Sequence, residues 1–581
     1  MTQIKSSRSG ADFLFCRSTP EEVFTPEDFT DEHKMIRKTA YQFIEKDVDP
    51  HREAIEQQDF NKVVSLLKKA GGLGLLGHSI PEKYGGLGLD KISKGIVGEV
   101  VGSTSGYGVA QSNHTCIATL PITHFGTHEQ KEKYLPKLAS GEYLGAYCLT
   151  EPGAGSDALA SQTIAVLNQE ETHYVLNGTK LYITNAVFSD TFIVYAKIDG
   201  KQFSAFIVEK DYPGLSLGPE EKKMGIKGSS TRSVILEDCQ VPVENLLGDS
   251  GKGHVIALNV LNLGRFNLGS ACTGGAKHAL KLALQHTSER KQFGRTIAEF
   301  TTTQEKVARM MARIYASESL QYRTASLLEE VMNDLYDESN QQKIGKQMME
   351  YAVECAICKV FGSETLDEVV DESLQLHGGA GFIQEYPIEQ MYRDSRINRI
   401  FEGTNEINRL LIPGNLFKKA AKGEIALEEL VEKARRELTK DKQGGVNEED
   451  AVQSIRNVFL FCVGAAFQKH GERLMDNQET LMKLANIAIN LYAAESAVLR
   501  ALKQENQADL KLKLTRTFLE ESLLSVESSA RMLLGSVLPK EERQQAYQLV
   551  FDEFSSYDFG NSLERNREIA THSYTKRKYD I

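Results

Sequence analysis

The chain has 581 residues, of which 41% are hydrophobic and 25% are charged, and its formal net charge is −12. A single hydrophobic core stops growing near about 250–300 residues, so this length predicts about two to four domains. The acidic balance argues against a nucleic-acid binder, which would carry a basic surface stripe. The sequence has no window of about 18 uncharged apolar residues, so we expect no transmembrane segment.

The N-terminus and the cysteines indicate a reducing compartment. The opening stretch MTQIKSSRSGADFLFCRSTP lacks the apolar centre of a secretory signal and is not an Arg-rich amphipathic transit peptide. The eight cysteines are scattered, as reduced and packed thiols are. Cys355 and Cys358 form a CxxC on one face of a predicted helix, and burial is favoured over a redox or metal role because no second Cys/His pair accompanies them. We therefore expect a cytoplasmic, bacterial-type protein without a bound metal.

Helical patterns occupy the first part of the chain. The stretch FTDEHKMIRKTAYQFIEKDV carries a capping threonine, Thr30, and an apolar period of 3.6 residues. The glycine-rich stretch from Gly71 to Asp90 is interpreted as a connection between helices. These patterns predict an N-terminal helical domain over residues 25–145.

The residue pattern changes from helical to strand-like near Leu144. The segments LGAYCLT, KLYITNA, TFIVYAKID and FSAFIVEKD are short, rich in β-branched and aromatic residues, and separated by Gly, Asn or Asp. Such segments are typical of strands joined by turns. We predict a middle β domain, a barrel or sandwich, over residues 146–255.

Helices return from residue 256 and continue to the end of the chain. A first helical unit is predicted over residues 256–415, with apolar side chains on one helix face at Val307, Met310, Met311, Ile314 and Tyr315. After Pro413 the residue composition changes, and an additional helical domain is predicted over residues 420–581. Its apolar positions at helical spacing include Leu484, Ile487, Leu491, Ala494 and Val498. The overall fold class is therefore α+β.

Five stretches in this order carry a family resemblance. They are YCLTEPGAGSD (Tyr147–Asp157), YITNA (Tyr182–Ala186), ERKQFG (Glu289–Gly294), LQLHGGAGF (Leu374–Phe382) and FEGTNEINR (Phe401–Arg409). Together they resemble the acyl-CoA dehydrogenase family, collinearly over roughly residues 30–415. LNLGRF at Leu261–Phe266 and the C-terminal extension are most similar to the long- and very-long-chain branch. The resemblance implies a C-terminal four-helix bundle that carries the catalytic base.

The resemblance implies FAD as the cofactor. The residues that it assigns to the flavin within one subunit are Tyr147, Leu149, Thr150, Ser156, Tyr182, Ile183 and Thr184. The glycines of EPGAGSD allow close approach of the backbone to a ligand, whereas the absence of GxGxxG argues against a nicotinamide site. Many family members have tryptophan at position 182, and Tyr182 can cover the flavin with an aromatic face instead.

A second group of residues matches family contacts to FAD from a neighbouring subunit. These are Arg290, Phe293, Gln375, Gly378 and Gly379. A guanidinium such as that of Arg290 suits phosphate oxygens because its fork donates parallel hydrogen bonds. The resemblance therefore implies a homodimer or a higher homo-oligomer. Thr404 and Glu406 match cofactor contacts beyond the base loop, although Glu406 departs from the uncharged Gln of some members.

The resemblance assigns the catalytic base to Glu402. The family removes a proton from Cα of an acyl thioester while hydride leaves Cβ for the flavin, so a base and a polarised carbonyl are required. A branch that resembles isovaleryl-CoA dehydrogenase carries its base directly before an arginine, and here that position is Gly264. Asn262 and Arg265 match residues near the CoA moiety, and Ser156 and Gly403 also match substrate contacts.

The acyl chain length is open at this stage. Similarity to the very-long-chain branch favours a deep apolar tunnel, in which each buried CH₂ contributes about 0.8 kcal/mol. However, Ala118 and Pro121 stand where that branch has small glycines, and these residues could shorten the tunnel. The extension after residue 420 is interpreted either as a packing domain that replaces the second dimer of tetrameric relatives or as a peripheral membrane contact.

The resemblance implies fatty acyl-CoA as substrate, trans-2-enoyl-CoA as product in β-oxidation, and an electron-transfer flavoprotein as electron acceptor. Two alternatives stay open. One is an acyl-CoA oxidase, in which oxygen reoxidises the flavin. The other is a family member that acts mainly as an assembly factor for respiratory complexes.

Overall fold

A computed structural model describes residues 9–336, 338–440, 447–503 and 508–581. Helices precede and follow one sheet region, so the α+β architecture predicted from the sequence is confirmed. The helices before the sheet are α1 Asp31–Phe43, α2 Arg52–Glu56, α3 Phe60–Gly72, α4 Lys91–Gly102, α5 Gly106–Asn113, α6 Leu120–Phe125 and α7 His128–Ser140. The predicted cap is present, because the Thr30 side chain accepts a hydrogen bond from the His33 N–H.

The middle region is one eight-stranded sheet. Its strands are β1 Gly145–Cys148, β2 Ile164–Leu167, β3 His173–Thr184, β4 Thr191–Ile198, β5 Gln202–Glu209, β6 Leu215–Leu217, β7 Thr231–Pro242 and β8 Leu246–Leu247. Their order is β6-β7-β3-β2-β4-β5-β8, with β1 pairing in parallel to β4. Strands β5 and β7 approach each other although they are not neighbours in this order, so the sheet curls around its own apolar core.

The helical bundle after the sheet is built on two long helices that run parallel. Its helices are α8 Gly253–Glu289, α9 Thr301–Met332, α10 Gln341–Met349, α11 Ala352–His377, α12 Pro387–Ser395 and α13 Asn405–Ala421, and a hairpin of β9 Lys291–Gln292 and β10 Arg295–Thr296 follows α8. Helices α8 and α11 touch closely at Gly269, where a Cβ would lie only 2.7 Å from Cys358 O. This contact brings Arg265 and Lys359 to the same side of the bundle.

The extension adds six helices, α14 Leu427–Leu438, α15 Glu448–His470, α16 Gln478–Lys503, α17 Ala508–Val537, α18 Lys540–Ser555 and α19 Ser562–Lys576. Helices α16, α17 and α19 pack on α9, and their apolar side chains join the same hydrophobic cluster as the bundle. Helix α14 has an apolar face that the sequence did not lead us to expect, and that face is used against α15, where Val431 lies over Gly464.

Several predictions about side chains are confirmed. The apolar positions predicted on α9 and α16 are buried, from Val307 to Tyr315 and from Leu484 to Val498. Cys355 and Cys358 are buried free thiols, whereas Cys16 is exposed. Within the described residues, none of the helices has the length and apolarity that crossing a membrane requires.

Candidate active site

A cavity lies where the end of strand β3 meets helices α5, α8 and α12. Its lining includes Gly102, Ser105, Val109, Cys116, Ile117, Thr184, Gly264, Asn267, Leu268, Ala271, Gly275, Leu366, Asp394 and Glu402. Most of these side chains are small or apolar. The cavity can therefore hold an elongated apolar group beside two buried carboxylates, those of Asp394 and Glu402.

The two buried acids of this cavity differ, because Asp394 accepts a hydrogen bond from the Ile226 N–H whereas one oxygen of Glu402 lacks such a donor. The Glu402 Oε2 atom is inaccessible to solvent and has no hydrogen-bond partner among the described residues. Burial raises the pKa of Glu402 to about 7, although the nearby cations of Arg265 and Lys359 act to lower it. A carboxylate with this pKa is partly ionised near neutral pH, and it can accept a proton from a bound group.

Gly264 lies directly against this carboxylate. A Cβ at position 264 would stand 2.8 Å from Glu402 Oε2, so any larger side chain would push the carboxylate aside. The two alternative base positions considered from the sequence therefore face the same space. Glycine at one of them leaves room for the acid at the other.

The loop that carries Glu402 is held by its carbonyl groups. Asn408 Nδ2 donates to the carbonyls of Glu402, Gly403 and Thr404 at 3.3, 2.8 and 3.1 Å. Lys359 Nζ donates to the Gly403 carbonyl at 2.8 Å. In contrast, the Glu402 N–H donates to no other residue in the part of the chain that the structure describes. That N–H remains available to a bound carbonyl oxygen.

Glu402 and Gly403 both have positive φ, at 56° and 78°. Such a backbone is strained for a residue with a Cβ, and it persists only when the surroundings hold it. The strained turn directs the Glu402 side chain toward α8. The glycine after the base is thus explained by conformation as well as by its predicted contact with substrate.

Arg265 and Asn262 form a buried pair on α8. Arg265 NH1 donates to Asn262 Oδ1 at 2.8 Å, and its Nε lies 3.4 Å from the Glu402 carbonyl oxygen. The two residues predicted near the CoA moiety are therefore next to the base. Arg409 instead donates through both terminal nitrogens to Glu364, as expected of a residue that holds the loop.

Strands β1 and β3 bring their predicted flavin residues together. Tyr147 and Leu149 are buried at the end of β1, and the Thr150 carbonyl accepts a hydrogen bond of 2.9 Å from Leu181 N–H on β3. Thr184 lines the cavity. Ile183 differs from the others because its side chain is buried in the sheet core, so only its backbone can reach a ligand.

Tyr182 sits at an irregularity of β3. The register with β7 shifts between Lys180 and Ile183, and Tyr182 has a φ of 58°. A bulge of this kind re-aims a side chain. It leaves the Tyr182 ring 63% exposed, where it can cover a planar ligand.

The turn EPGAGSD is anchored by a buried ion pair. Glu151 Oε1 accepts a hydrogen bond of 2.6 Å from Lys180 Nζ, and the Thr163 hydroxyl donates to the same oxygen. Beyond this anchor Ser156 is exposed, and Cβ atoms at Gly153 and Gly155 would meet nothing within 4 Å. The turn is therefore anchored at Glu151, and its backbone at Gly153 and Gly155 is accessible to a ligand.

The predicted cross-subunit residues lie far from this cavity. His286 and His377, at the ends of α8 and α11, stack with ring centroids 4.3 Å apart, so Arg290, Gln375 and Gly378 follow at the same end of the bundle. The rise of about 1.5 Å per residue places Arg290 roughly 39 Å from Gly264 along α8. Phe293 is 93% exposed. These residues and Gly379 form an exposed patch at the end of the bundle away from Glu402.

The remaining predicted residues have local roles that are visible. Thr404 caps α13, because its side chain accepts a hydrogen bond from the Ile407 N–H. Glu406 is exposed in the first turn of that helix. Ala118 packs toward β1, where a Cβ on Gly145 would meet its methyl at 3.0 Å, whereas Cys116 and Ile117 line the cavity. Pro121 is buried in α6.

Several residues of the site were not identified from the sequence. Lys359 and Asn408 hold the base loop, and Lys180 anchors the EPGAGSD turn. Asn408 lies in the same motif as Glu402, so its spacing was a usable signal. No local pattern marked Lys359, because it lies on α11, distant in sequence. Among the described residues, no group of His, Cys, Asp and Glu could hold a metal ion.

Family profiles match most of the chain. The profiles of the acyl-CoA dehydrogenase N-terminal, middle and C-terminal domains match residues 30–142, 146–239 and 251–417. A further profile, also described as an acyl-CoA dehydrogenase C-terminal domain, matches residues 454–550. The matched ranges include Glu402 and all five stretches that carry the resemblance.

Curated relatives and solved structures agree with these profiles. A probable acyl-CoA dehydrogenase of Bacillus subtilis is 48% identical, with 99% of each chain covered. The mitochondrial very long-chain specific acyl-CoA dehydrogenase of Bos taurus is 35% identical over 82% of this chain and 75% of the relative. The structure of acyl-CoA dehydrogenase complexed with FAD from Bacillus anthracis has a TM-score of 0.96 and 48% identity, covering 99% of this chain and all of that one.

Proposed function

Because this chain belongs to the acyl-CoA dehydrogenase family, we propose that it uses FAD to oxidise a long-chain fatty acyl-CoA to the trans-2-enoyl-CoA. The observation that carries the proposal is the Glu402 carboxylate, which is buried without a hydrogen-bond partner in a largely apolar cavity and has a pKa raised to about 7.

Glu402 is the group that takes the proton from Cα. Its raised pKa makes it a stronger base than a solvated glutamate, and its Oε2 atom has an unused acceptor position facing the cavity. The unpaired Glu402 N–H is a donor for the thioester carbonyl oxygen, on which negative charge develops as the proton leaves. Arg265 lies beside this carbonyl site and favours the same charge.

The residues around the cavity suit FAD. When bound, FAD supplies the acceptor for the hydride that leaves Cβ. Thr184 lines the cavity at the end of β3, Tyr182 lies two residues before it, and Thr150 is joined to the same strand through Leu181. The open backbone at Gly153 and Gly155 leaves space for a large ligand. The exposed and strained Tyr182 has no packing role that would explain its position.

The far end of the cavity supports a long acyl chain. Its lining follows one face of α8 from Gly264 to Gly275, which corresponds to about 16 Å of helix. An extended chain advances about 1.2 Å per bond, so this length accommodates roughly thirteen bonds beyond the base. Ala118 packs toward Gly145 instead of closing this path.

Arg290, Phe293, Gln375, Gly378 and Gly379 are proposed to contact FAD in a neighbouring subunit. Arg290 lies roughly 39 Å from Gly264 along α8 and about 22 Å beyond Gly275, where the lining of the cavity ends on that helix. The exposed apolar side chains nearby, including Phe293 and Phe382, suit a subunit interface. The active unit is thus a homodimer or a larger assembly.

Substitution of the base tests the proposal. We expect Glu402→Gln to retain FAD and to reduce it with palmitoyl-CoA at least about a thousandfold more slowly, because the amide cannot accept the proton. Anaerobic bleaching of the flavin absorbance measures this rate. Rapid bleaching in Glu402→Gln would show that another group is the base.

The electron acceptor is a separate question. We propose an electron-transfer flavoprotein, with an acyl-CoA oxidase as the alternative. Turnover of acyl-CoA in air, compared with turnover after addition of an electron-transfer flavoprotein, distinguishes them. An assembly-factor role predicts that the Glu402→Gln protein still supports complex assembly in cells.

A further inference from the structure

We propose that helix α16 of the C-terminal extension positions the Glu402 loop, and that Asn486 is the positioning residue through which it acts. The inference rests on the proposed role of Glu402 as the base. Asn486 Oδ1 accepts a hydrogen bond of 2.7 Å from Arg409 Nε. Arg409 lies in the first turns of α13, the helix that begins directly after the base loop.

A continuous chain of hydrogen bonds leads from Arg409 to the loop. Arg409 donates to both oxygens of Glu364 at 2.8 and 2.9 Å. Glu364 Oε1 also accepts from Asn405 Nδ2 at 3.0 Å, and Asn405 Oδ1 accepts from Lys359 Nζ at 2.7 Å. Lys359 Nζ completes the chain at the Gly403 carbonyl, at 2.8 Å. Every link is a direct contact between buried or half-buried groups.

The geometry explains why the bond from α16 matters. The two bonds to Glu364 orient the terminal nitrogens of the guanidinium. Asn486 accepts from the remaining nitrogen, Nε, so Arg409 is held from α11 and α16 together. Because Glu402 and Gly403 are held in a strained backbone, their position depends on such external restraints.

The test compares two contacts between the extension and the bundle. Asn486→Leu removes the acceptor at similar size, and Asn486→Asp keeps it. Glu521→Gln is the matched control, because Glu521 on α17 pairs with Arg309 on α9 and, among the described residues, makes no hydrogen bond to the base loop or to Glu364. The measurements are flavin reduction at saturating palmitoyl-CoA, KM, and hydrogen exchange of the backbone over residues 396–409.

We expect Asn486→Leu to slow flavin reduction about tenfold with little change in KM, since small displacements of a base cost rate more than binding. Exchange over 396–409 should become faster. Asn486→Asp should restore both quantities, and Glu521→Gln should change neither. Asn486→Gln, which displaces the acceptor by one methylene, should act in the same direction as Asn486→Leu, and it replaces that variant if Asn486→Leu does not fold.

The proposal is overturned if Asn486→Leu shows the same hydrogen exchange over residues 396–409 and the same rate of flavin reduction as the wild type. It is also overturned if Glu521→Gln changes these two quantities as much as Asn486→Leu does. Failure of the wild-type protein to reduce its flavin with palmitoyl-CoA would instead overturn the proposed function. In that case the exchange measurement still decides whether α16 holds the loop.

Discussion

At the scale of single residues, the main feature of the candidate site is that the buried Glu402 carboxylate has few polar neighbours. The carboxylate faces a glycine, Gly264, and no described side chain donates to its Oε2 atom. Desolvation is therefore the largest influence on its pKa, and the cations of Arg265 and Lys359 only moderate it. The same desolvation supports the role of Glu402 as the proposed base.

The raised pKa predicts a pH dependence. Only the ionised carboxylate accepts a proton, so kcat/KM for acyl-CoA should fall about tenfold per pH unit below the pKa and level off above it. The midpoint should lie near the Glu402 pKa of about 7. Steady-state rates over pH, with flavin absorbance as a control for cofactor retention, measure it. A midpoint near that of an ordinary glutamate would contradict the desolvated environment.

The contact at Gly264 predicts the effect of one methyl group. Gly264→Ala places a Cβ 2.8 Å from Glu402 Oε2, and the flexible carboxylate is the group that moves. We expect an intact fold and flavin reduction slower by about ten- to a hundredfold, because the base is displaced.

Gly95→Ala is the matched control on α4, since its Cβ would first meet the Phe266 ring at 3.4 Å. That variant should keep the wild-type rate of flavin reduction. Equal rates in Gly264→Ala and the wild type would mean that the carboxylate has another productive position.

At the scale of elements, the site lies where strand ends meet the α8–α11 pair. The close approach at Gly269 sets α11 beside α8, and this places Lys359 under the base loop. On the sheet side, the Glu151–Lys180 pair fastens the turn after β1 to β3. Each side of the site is therefore fixed by a contact that involves helices or strands, and the loops that face the ligand are attached to these rigid elements.

The Lys180 anchor predicts a loss of cofactor. Lys180→Met leaves Glu151 buried without its cation, and breaking a buried pair in this way costs about 3–5 kcal/mol. We expect a lower Tm and faster release of FAD, because the turn over residues 150–157 loses its anchor. Thermal unfolding and the fluorescence of released flavin measure the two effects.

The control is Lys210→Met, which breaks the half-exposed Lys210–Asp190 pair of the same sheet. Such surface pairs contribute at most about 1 kcal/mol, so the control should retain FAD. Equal retention in Lys180→Met and Lys210→Met would show that the turn does not hold the cofactor.

At the scale of the whole molecule, the extension contacts both the N-terminal segment and the helical bundle. Arg500 on α16 pairs with Glu27, ahead of α1, and with Glu318 on α9. Phe13 packs against Tyr492 with ring centroids 4.6 Å apart. The extension therefore packs over the bundle and also contacts the segment ahead of α1.

The distance between Arg290 and Glu402 predicts complementation between subunits. Glu402→Gln and Arg290→Ala should each be inactive as homodimers, the second through weak FAD binding. In a mixed dimer, one site combines the intact base of one chain with the intact Arg290 of the other. Random mixing should restore about a quarter of the wild-type activity, because half of the dimers carry one intact site. Activity after co-refolding with added FAD measures the effect, and no recovery would place Arg290 outside the neighbour's site.

The amino-acid sequence was enough to predict the alternation of helical and sheet regions, the apolar faces of α9 and α16, and the family in which Glu402 is the proposed base. These features follow from spacing along the chain, since side chains at helical or strand period share a face. The motif FEGTNEINR likewise contained both the base and Asn408, which holds the loop.

The tertiary structure alone decided what surrounds those residues. The contact of Gly264 with Glu402, the place of Lys359 under the loop, the inward side chain of Ile183 and the bond from Asn486 all join residues far apart in sequence. Such pairs are set by how helices and sheet pack, and local propensity carries no information about them. The pKa of the base depends on burial, so it too became known only with the fold.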